Sequence, residues 1–218
     1  MGLSHQKAHA DYGNADPVAQ RDFLNHLKNT LFALEPTASI VAFDEFSVCE
    51  KPTASYGWAV KNTRPRFVTD GKNTRVNGLL SVALHTGECF FGAVSKADSG
   101  AVATCLHQLA AHAHGKGACS LSVVLDQNPT HRQKMRTALL ALKPAIPVRF
   151  LDVATYSPNL NPVEYLIHLI RLRLLHHAAP SQKLHQVQQR LEQHVHDKVW
   201  LSPEQLIKLL ARIDQDTP

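Results

Sequence analysis

Short apolar runs alternate with longer amphipathic stretches along this chain. Asp16-Pro17 suits a helix start, since Asp caps and Pro fits the first turn. Phe23, Leu24, Leu27 and Leu31 then recur at helical spacing and predict a helix ending near Leu34. Ser39 to Phe43 is a short apolar run, predicted to be a buried strand that delivers Asp44 at its end. Pro52, Gly57 and Pro65 break up the section that follows. Arg75 to Leu84 and Glu88 to Val94 predict two strands paired across a His85-Thr86-Gly87 turn. An alanine-rich helix from Ser99 to His114 ends at Gly115 and Gly117. Leu121 to Leu125 predicts a fully apolar strand with Asp126 directly after it. A helix from His131 to Leu142, a strand from Val148 to Leu151 and a helix from Pro162 to His176 follow. Two more helices are predicted, near Gln182 to Val199 and Ser202 to Ile213. The second opens on a Ser-Pro-Glu-Gln capping box.

From residue 39 the order is three strands, helix, strand, helix, strand, helix. Strand–helix alternation implies parallel pairing, and the hairpin adds an antiparallel edge. The predicted class is therefore α/β, a ribonuclease-H-like mixed five-stranded sheet with flanking N- and C-terminal helices. The expected division is a helical extension over residues 1–36, a core domain over 37–178 with an insertion at 50–74, and C-terminal helices over 179–218.

Composition narrows the class further. At 218 residues and 44% hydrophobic content the chain fills one ordinary domain with appended helices. No apolar run approaches the ~18 residues of a membrane span, and Met1 to Ala10 lacks an apolar signal core, so a cytoplasmic protein is expected. Cys49, Cys89, Cys105 and Cys119 form no CxxC pair, which argues against a zinc ribbon or redox motif. The histidine pairs 112/114, 176/177 and 194/196 are adjacent or two apart. On a helix such pairs face different ways, so no zinc site is read from them. Net charge is +5. Its distribution is more telling: Lys61, Arg64, Arg66, Lys72 and Arg75 crowd one stretch, and Arg171 and Arg173 follow the last candidate acid. A solvated basic loop and a nucleic-acid contact both fit this pattern.

Asp44 and Asp126 each stand after an apolar run, where open α/β sheets place ligand chemistry. Glu164 falls in the first turn of the helix after the fifth strand. If that helix packs beside the first and fourth strands, three carboxylates converge. Such a group repels itself and needs cations, and oxygen donors suit Mg²⁺ or Mn²⁺. Two ions about 4 Å apart stabilise the attacking and leaving oxygens of phosphoryl transfer. Glu164 has an equal rival reading. It lies three residues past Asn161, where a capping-box Glu would bond back to the cap's N–H.

Three segments carry a resemblance. They are Phe43-Asp44-Glu45 with Tyr56-Gly57-Trp58-Ala59 and Arg64-Pro65; Val124-Leu125-Asp126 with Asn128 and His131; and Tyr156-Ser157-Pro158-Asn159-Leu160-Asn161-Pro162-Val163-Glu164. Together they resemble the bacterial insertion-sequence branch of the mariner transposase superfamily, over roughly residues 10 to 178. The resemblance implies an Asp, Asp, Glu triad on Asp44, Asp126 and Glu164, holding two Mg²⁺ ions, with Mn²⁺ able to substitute. It implies cleavage at transposon ends and joining of the freed 3′ hydroxyl to target DNA, commonly at TA, by a homodimer at the bacterial nucleoid. It also makes residues 50–74 a clamp between subunits, with Tyr56, Trp58, Lys61, Arg64, Arg66, Lys72 and Arg75 in assembly or DNA contact. Arg171 and Arg173 would join them. His131 would approach the phosphate or hold its loop. Related proteins carry helix-turn-helix domains ahead of the catalytic domain, and only about 38 residues precede the first predicted strand, so end recognition is expected from a region missing here. Two positions depart from the family pattern: Gln127 stands where Asn is usual, and Ile167 where an aromatic is common. They keep open a catalytically silent DNA-binding or dimerisation module. A ribonuclease-H-like nuclease that cuts without joining is the other alternative.

Overall fold

In the computed structural model the first strand, β1, runs from Ala38 to Cys49 and organises the molecule. The structure describes residues 14–49, 60–63, 66, 74–175 and 183–217. β1 pairs antiparallel with β2 (Arg75–Ala83), which pairs antiparallel with β3 (Cys89–Val94). On its other side β1 pairs parallel with β4 (Ser120–Leu125), and β4 with β5 (Val148–Asp152). The resulting order is β3-β2-β1-β4-β5, the mixed ribonuclease-H-like sheet expected from the sequence.

Helices cover both faces. α2 (Ser99–Gly115) and α3 (Gln133–Ala141) pack on one, against Val41, Phe43, Leu79, Leu121, Val123 and Leu125. The opposite face carries α1 (Pro17–Phe32), α4 (Pro162–Ile170), α5 (Leu184–Val195) and α6 (Pro203–Gln215). Their apolar positions meet Ile40, Ala42, Phe46, Val48, Leu80 and Val124 there. Even-numbered residues of β1 therefore face α4 and odd-numbered ones face α2 and α3, as the two-residue period of a strand requires. None of the described helices is long and apolar enough to cross a membrane.

Three boundaries differ from the sequence expectation. β1 does not stop before Asp44 but continues six residues beyond Phe43, because Phe46 and Val48 alternate with Glu45 and Ser47 and pair with β2 throughout. Asp44 is thus a mid-strand residue. His131 closes a short 3₁₀ turn, Pro129–His131, ahead of α3. α5 ends at Val195 rather than near Val199. Asp197 takes a left-handed backbone (φ 56°), and the chain then pairs with the β3 edge. Asp197 N–H donates to Cys89 O (2.9 Å), Cys89 N–H to Lys198 O (2.9 Å), and Trp200 N–H to Gly87 O (3.1 Å). α4 continues into a π-helical turn, Arg171–Leu175.

Gly87 serves both the β2–β3 turn and this C-terminal pairing. Its φ is +74°, and an added Cβ would lie 1.6 Å from the Leu201 carbonyl oxygen. Gly87→Ala is expected to destabilise by about 1–3 kcal/mol in urea unfolding, from left-handed strain plus displacement of the 197–201 segment. An unchanged midpoint would show that this segment does not contribute to global stability.

Candidate active site

The register of the sheet sets two of the three candidate acids side by side. Ala42 is level with Val124 in the parallel β1–β4 pair. Asp44 stands two residues after Ala42 and Asp126 two residues after Val124, so the register brings both to the same end of the β1–β4 pair. β4 has ended by then, so Asp126 is more open than Asp44, which is only 9% exposed.

Asn161 brings in the third acid. It is 2% exposed, and its Nδ2 donates to the Phe43 carbonyl (3.0 Å), one residue before Asp44. Its Oδ1 accepts from Val163 N–H (3.4 Å) and caps α4. The Asn161 N–H donates to Pro158 O (3.0 Å). The backbone group that a capping-box glutamate would use is therefore occupied, unlike at α5 and α6, where the reciprocal bond forms. This geometry argues against the capping-box reading of Glu164. Ser157, on the preceding loop, accepts from the buried Gln20 amide of α1 (2.8 Å). That anchors the loop as Tyr156 passes through a left-handed conformation (φ 57°) with its ring exposed.

Electrostatics report the convergence. Burial pushes the Asp44 carboxyl up to about 8, helped by the charges of Glu164, then Asp126 and Glu45, and opposed by the Glu45 N–H that it accepts (2.7 Å). Asp126 goes the other way. Burial acts to raise it, but bonds from His131 and from the Asn128 N–H (3.1 Å) hold it below the ordinary carboxylate range. His131 is 1% exposed, with Nδ1 2.6 Å from Asp126 Oδ1 and 3.2 Å from Asp126 O. Its Nε2 lies 3.0 Å from Glu45 Oε2, close enough for an ion pair but out of line for a hydrogen bond. Burial lowers the His131 pKa, and the two carboxylates outweigh it and push the ring up to about 10. His131 is thus packed behind Asp126, away from solvent, in reach of both its side chain and its loop.

Glu45 is the residue the sequence reading left without a role. The strand period turns it to the face opposite Asp44, where it meets His131 and Thr130 (3.3 Å). Its signal was the same alternation that extends β1. A cleft of ≈210 Å³ opens beside Asp126, lined also by Gln127, His131, Arg132, Gln133, Arg136 and Asp152. Arg132 and Arg136, one helical turn apart, place positive charge at its rim, and Arg136 is ion-paired with Asp152. Among the residues proposed for DNA contact or assembly, Lys61, Arg66, Arg75, Arg171 and Arg173 are exposed. Arg173 stacks over Trp200 at 5.8 Å. Among the described residues, no hydrogen bond or ion pair links these five to the three acids. Tyr56, Trp58, Arg64 and Lys72 lie outside the described residues.

Residues 39–188 match the family model described as DDE superfamily endonuclease. The chain belongs to this family. No curated protein matches the sequence. Among solved structures, the fold matches that of the Mos1 strand transfer complex with a TM-score of 0.69 at 14% identity, covering 98% of this chain and 65% of that one. The Mos1 mariner paired end complex with Mn gives the same score and identity, covering 98% and 66%. The catalytic domain of Mos1 mariner transposase gives 0.63 at 15% identity, covering 96% and 95%. The chain spans about two thirds of the length of the Mos1 chains in those complexes. Within this DDE endonuclease frame both departures have structural roles. The Gln127 amide donates to Val153 O (3.1 Å) and ties the loop after β4 to the end of β5. Ile167 is 1% exposed and fills the core under α4.

Two outcomes test this geometry. Asn161→Ala removes a cap and leaves the buried Phe43 carbonyl unpaired, so unfolding measurements are expected to show a loss of about 2–4 kcal/mol. A loss well under 1 kcal/mol would mean the tie is dispensable. Asp44 has a folded pKa raised above its unfolded value of about 3.9, so its contribution to stability is full below pH ~4 and is lost as pH rises toward 8. The metal-free Asp44→Asn variant should therefore gain on the wild type between pH 5 and 8.5 by a few kcal/mol, within the limit of about 6 kcal/mol that the shift allows. Parallel pH profiles for the two proteins would refute the crowding of carboxylates.

Proposed function

We propose that this chain is the catalytic domain of a transposase of the bacterial insertion-sequence branch of the mariner superfamily. The observation that carries this reading is that the charges of Glu164, in the first turn of α4, and of Asp126, after β4, both reach Asp44 in mid-β1 and help raise its pKa. The donor set fits divalent cations. It consists of carboxylate oxygens, and burial and then the charges of Glu164 and Asp126 raise the Asp44 pKa to about 8, a cost that a cation would relieve. Asp44, Asp126 and Glu164 would hold two Mg²⁺ ions, or Mn²⁺ in their place. Such ions supply neutralisation of the charge that develops on the phosphoryl oxygens. Structures of Mos1 transposase with Mg and with Mn give the same reading indirect support.

The chain's own residues do the positioning. His131 and the Asn128 N–H both bond to Oδ1 of Asp126 and so hold that carboxylate in place. Asn161 sets the entry angle of α4 and so the place of Glu164. Asp126 and Arg132 flank the cleft from opposite charge classes, with the arginine suited to a phosphate of the DNA strand. The exposed Lys61, Arg66, Arg75, Arg171 and Arg173 would extend this contact along the backbone of transposon-end and target DNA. Two copies would act as a dimer on a pair of ends, at the nucleoid in the cytoplasm.

With a pre-cut 3′-hydroxyl substrate and Mn²⁺, the wild type is expected to join the strand to a TA-containing target. Asp126→Asn should lower this by at least about a thousandfold while the fold stays intact. Cleavage without joining would identify a nuclease of the same fold. DNA binding that survives Asp126→Asn, with neither reaction in the wild type, would identify a silent module.

A further inference from the structure

A second constellation lies at the β3 edge of the sheet, where the C-terminal end of α2 meets the segment after α5. Among the described residues it is the one group of three metal-ligating side chains whose donor atoms all lie within 4.8 Å of one another: His112, His196 and Asp197. His112 Nε2 is 3.2 Å from Asp197 Oδ1, and His196 Nε2 is 3.6 Å from Asp197 Oδ2. Tetrahedral zinc with bonds of 2.0–2.1 Å has ligand–ligand edges of about 3.3 Å, and donors already within 4.8 Å of one another need only small side-chain shifts to reach that spacing. We propose that His112, His196 and Asp197 bind one transition-metal ion of the Zn²⁺ class, at a site independent of the carboxylate triad.

Each ligand is held by the fold. His112 and His196 both pack against the Phe90 ring, at centroid distances of 5.3 and 4.9 Å. His196 Nδ1 lies 3.0 Å from the Phe91 carbonyl. With its proton donated there, Nε2 presents its lone pair toward Asp197, the arrangement that orients most metal-bound imidazoles. The Phe91 N–H, at 3.2 Å from the same Nδ1, is the competing partner. Asp197 takes its left-handed conformation while its N–H donates to Cys89 O, which aims the carboxylate back at α2. Two further charges face the group. Lys116 Nζ is 3.6 Å from Asp197 Oδ1 and is itself bonded to Glu88, so the lysine's charge is largely balanced. Two imidazoles and one carboxylate suit Zn²⁺ far better than Mg²⁺, which prefers oxygen alone. Access is open: His112, Lys116, Glu88 and Phe90 also line a groove of ≈210 Å³ that runs to Pro36 and Ala38 at the start of β1. The ion would clip α2 to the segment that docks the C-terminal helices on β3.

The test uses the full chain, stripped with a chelator and titrated with Zn²⁺ by calorimetry. The expected result is one Zn²⁺ per chain that persists in the Asp44→Asn/Asp126→Asn double variant. His112→Gln and Asp197→Asn are each expected to weaken it at least tenfold, in line with losses seen on disturbing zinc shells. Co²⁺ added to the double variant should give the intense visible absorption of a four-coordinate nitrogen–oxygen site, a readout that needs no change at the histidines. Zn²⁺ binding that vanishes in the double variant, that is unaffected by His112→Gln and Asp197→Asn, or a weak six-coordinate Co²⁺ spectrum would each overturn the proposal.

Discussion

The buried amide of Asn161 is the contact on which the carboxylate centre depends. One end holds the carbonyl of Phe43, the residue before Asp44, and the other caps α4. Losing either bond would strand a polar group inside the protein, at a cost that water cannot offset there. The helix therefore has one entry point on the sheet, and Glu164 follows from it. The same residue's N–H is already used by Pro158, which frees the glutamate side chain from capping.

Once α4 is fixed, electrostatics set the character of the site. Asp44 is surrounded by like charge in a place with little water, and its proton affinity rises. Asp126 is held below the ordinary carboxylate range by the buried His131 ring. The two carboxylates thus differ in proton affinity because one sits buried in mid-strand and the other just past a strand's end, bonded to His131. The crowding costs stability, which cores on both faces of the sheet offset. Glu45, turned to the far face by the strand period, completes the support behind Asp126 through His131.

Membership of the DDE endonuclease family rests on the match over residues 39–188, and the likeness to Mos1 transposase at 14–15% identity rests on fold. The two departures from the expected pattern fit this fold without disturbing the triad. A glutamine reaches Val153 from position 127, and an isoleucine is fully packed at position 167. Each has a structural role of its own, so neither by itself argues for a silent copy.

The sequence alone determined what depends on near neighbours. Apolar periodicity placed all five strands and the helices between them, Asp16 and Ser202 marked helix starts, and the segment from Tyr156 to Glu164 pointed to the chemistry. Such features are decided by residues within about one helical turn or one strand pair of each other. Tertiary structure decided the rest. It carried β1 past Asp44 because β2 lies alongside to pair with it. It fixed where α4 meets the sheet through a bond from Asn161 to a strand more than a hundred residues away in the chain. It ended α5 at Val195 because β3 offered an open edge. It also joined His112 to His196 and Asp197, which no helical spacing connects. Contacts of that kind are set by sheet register and by which faces pack together, and those are properties of the whole fold.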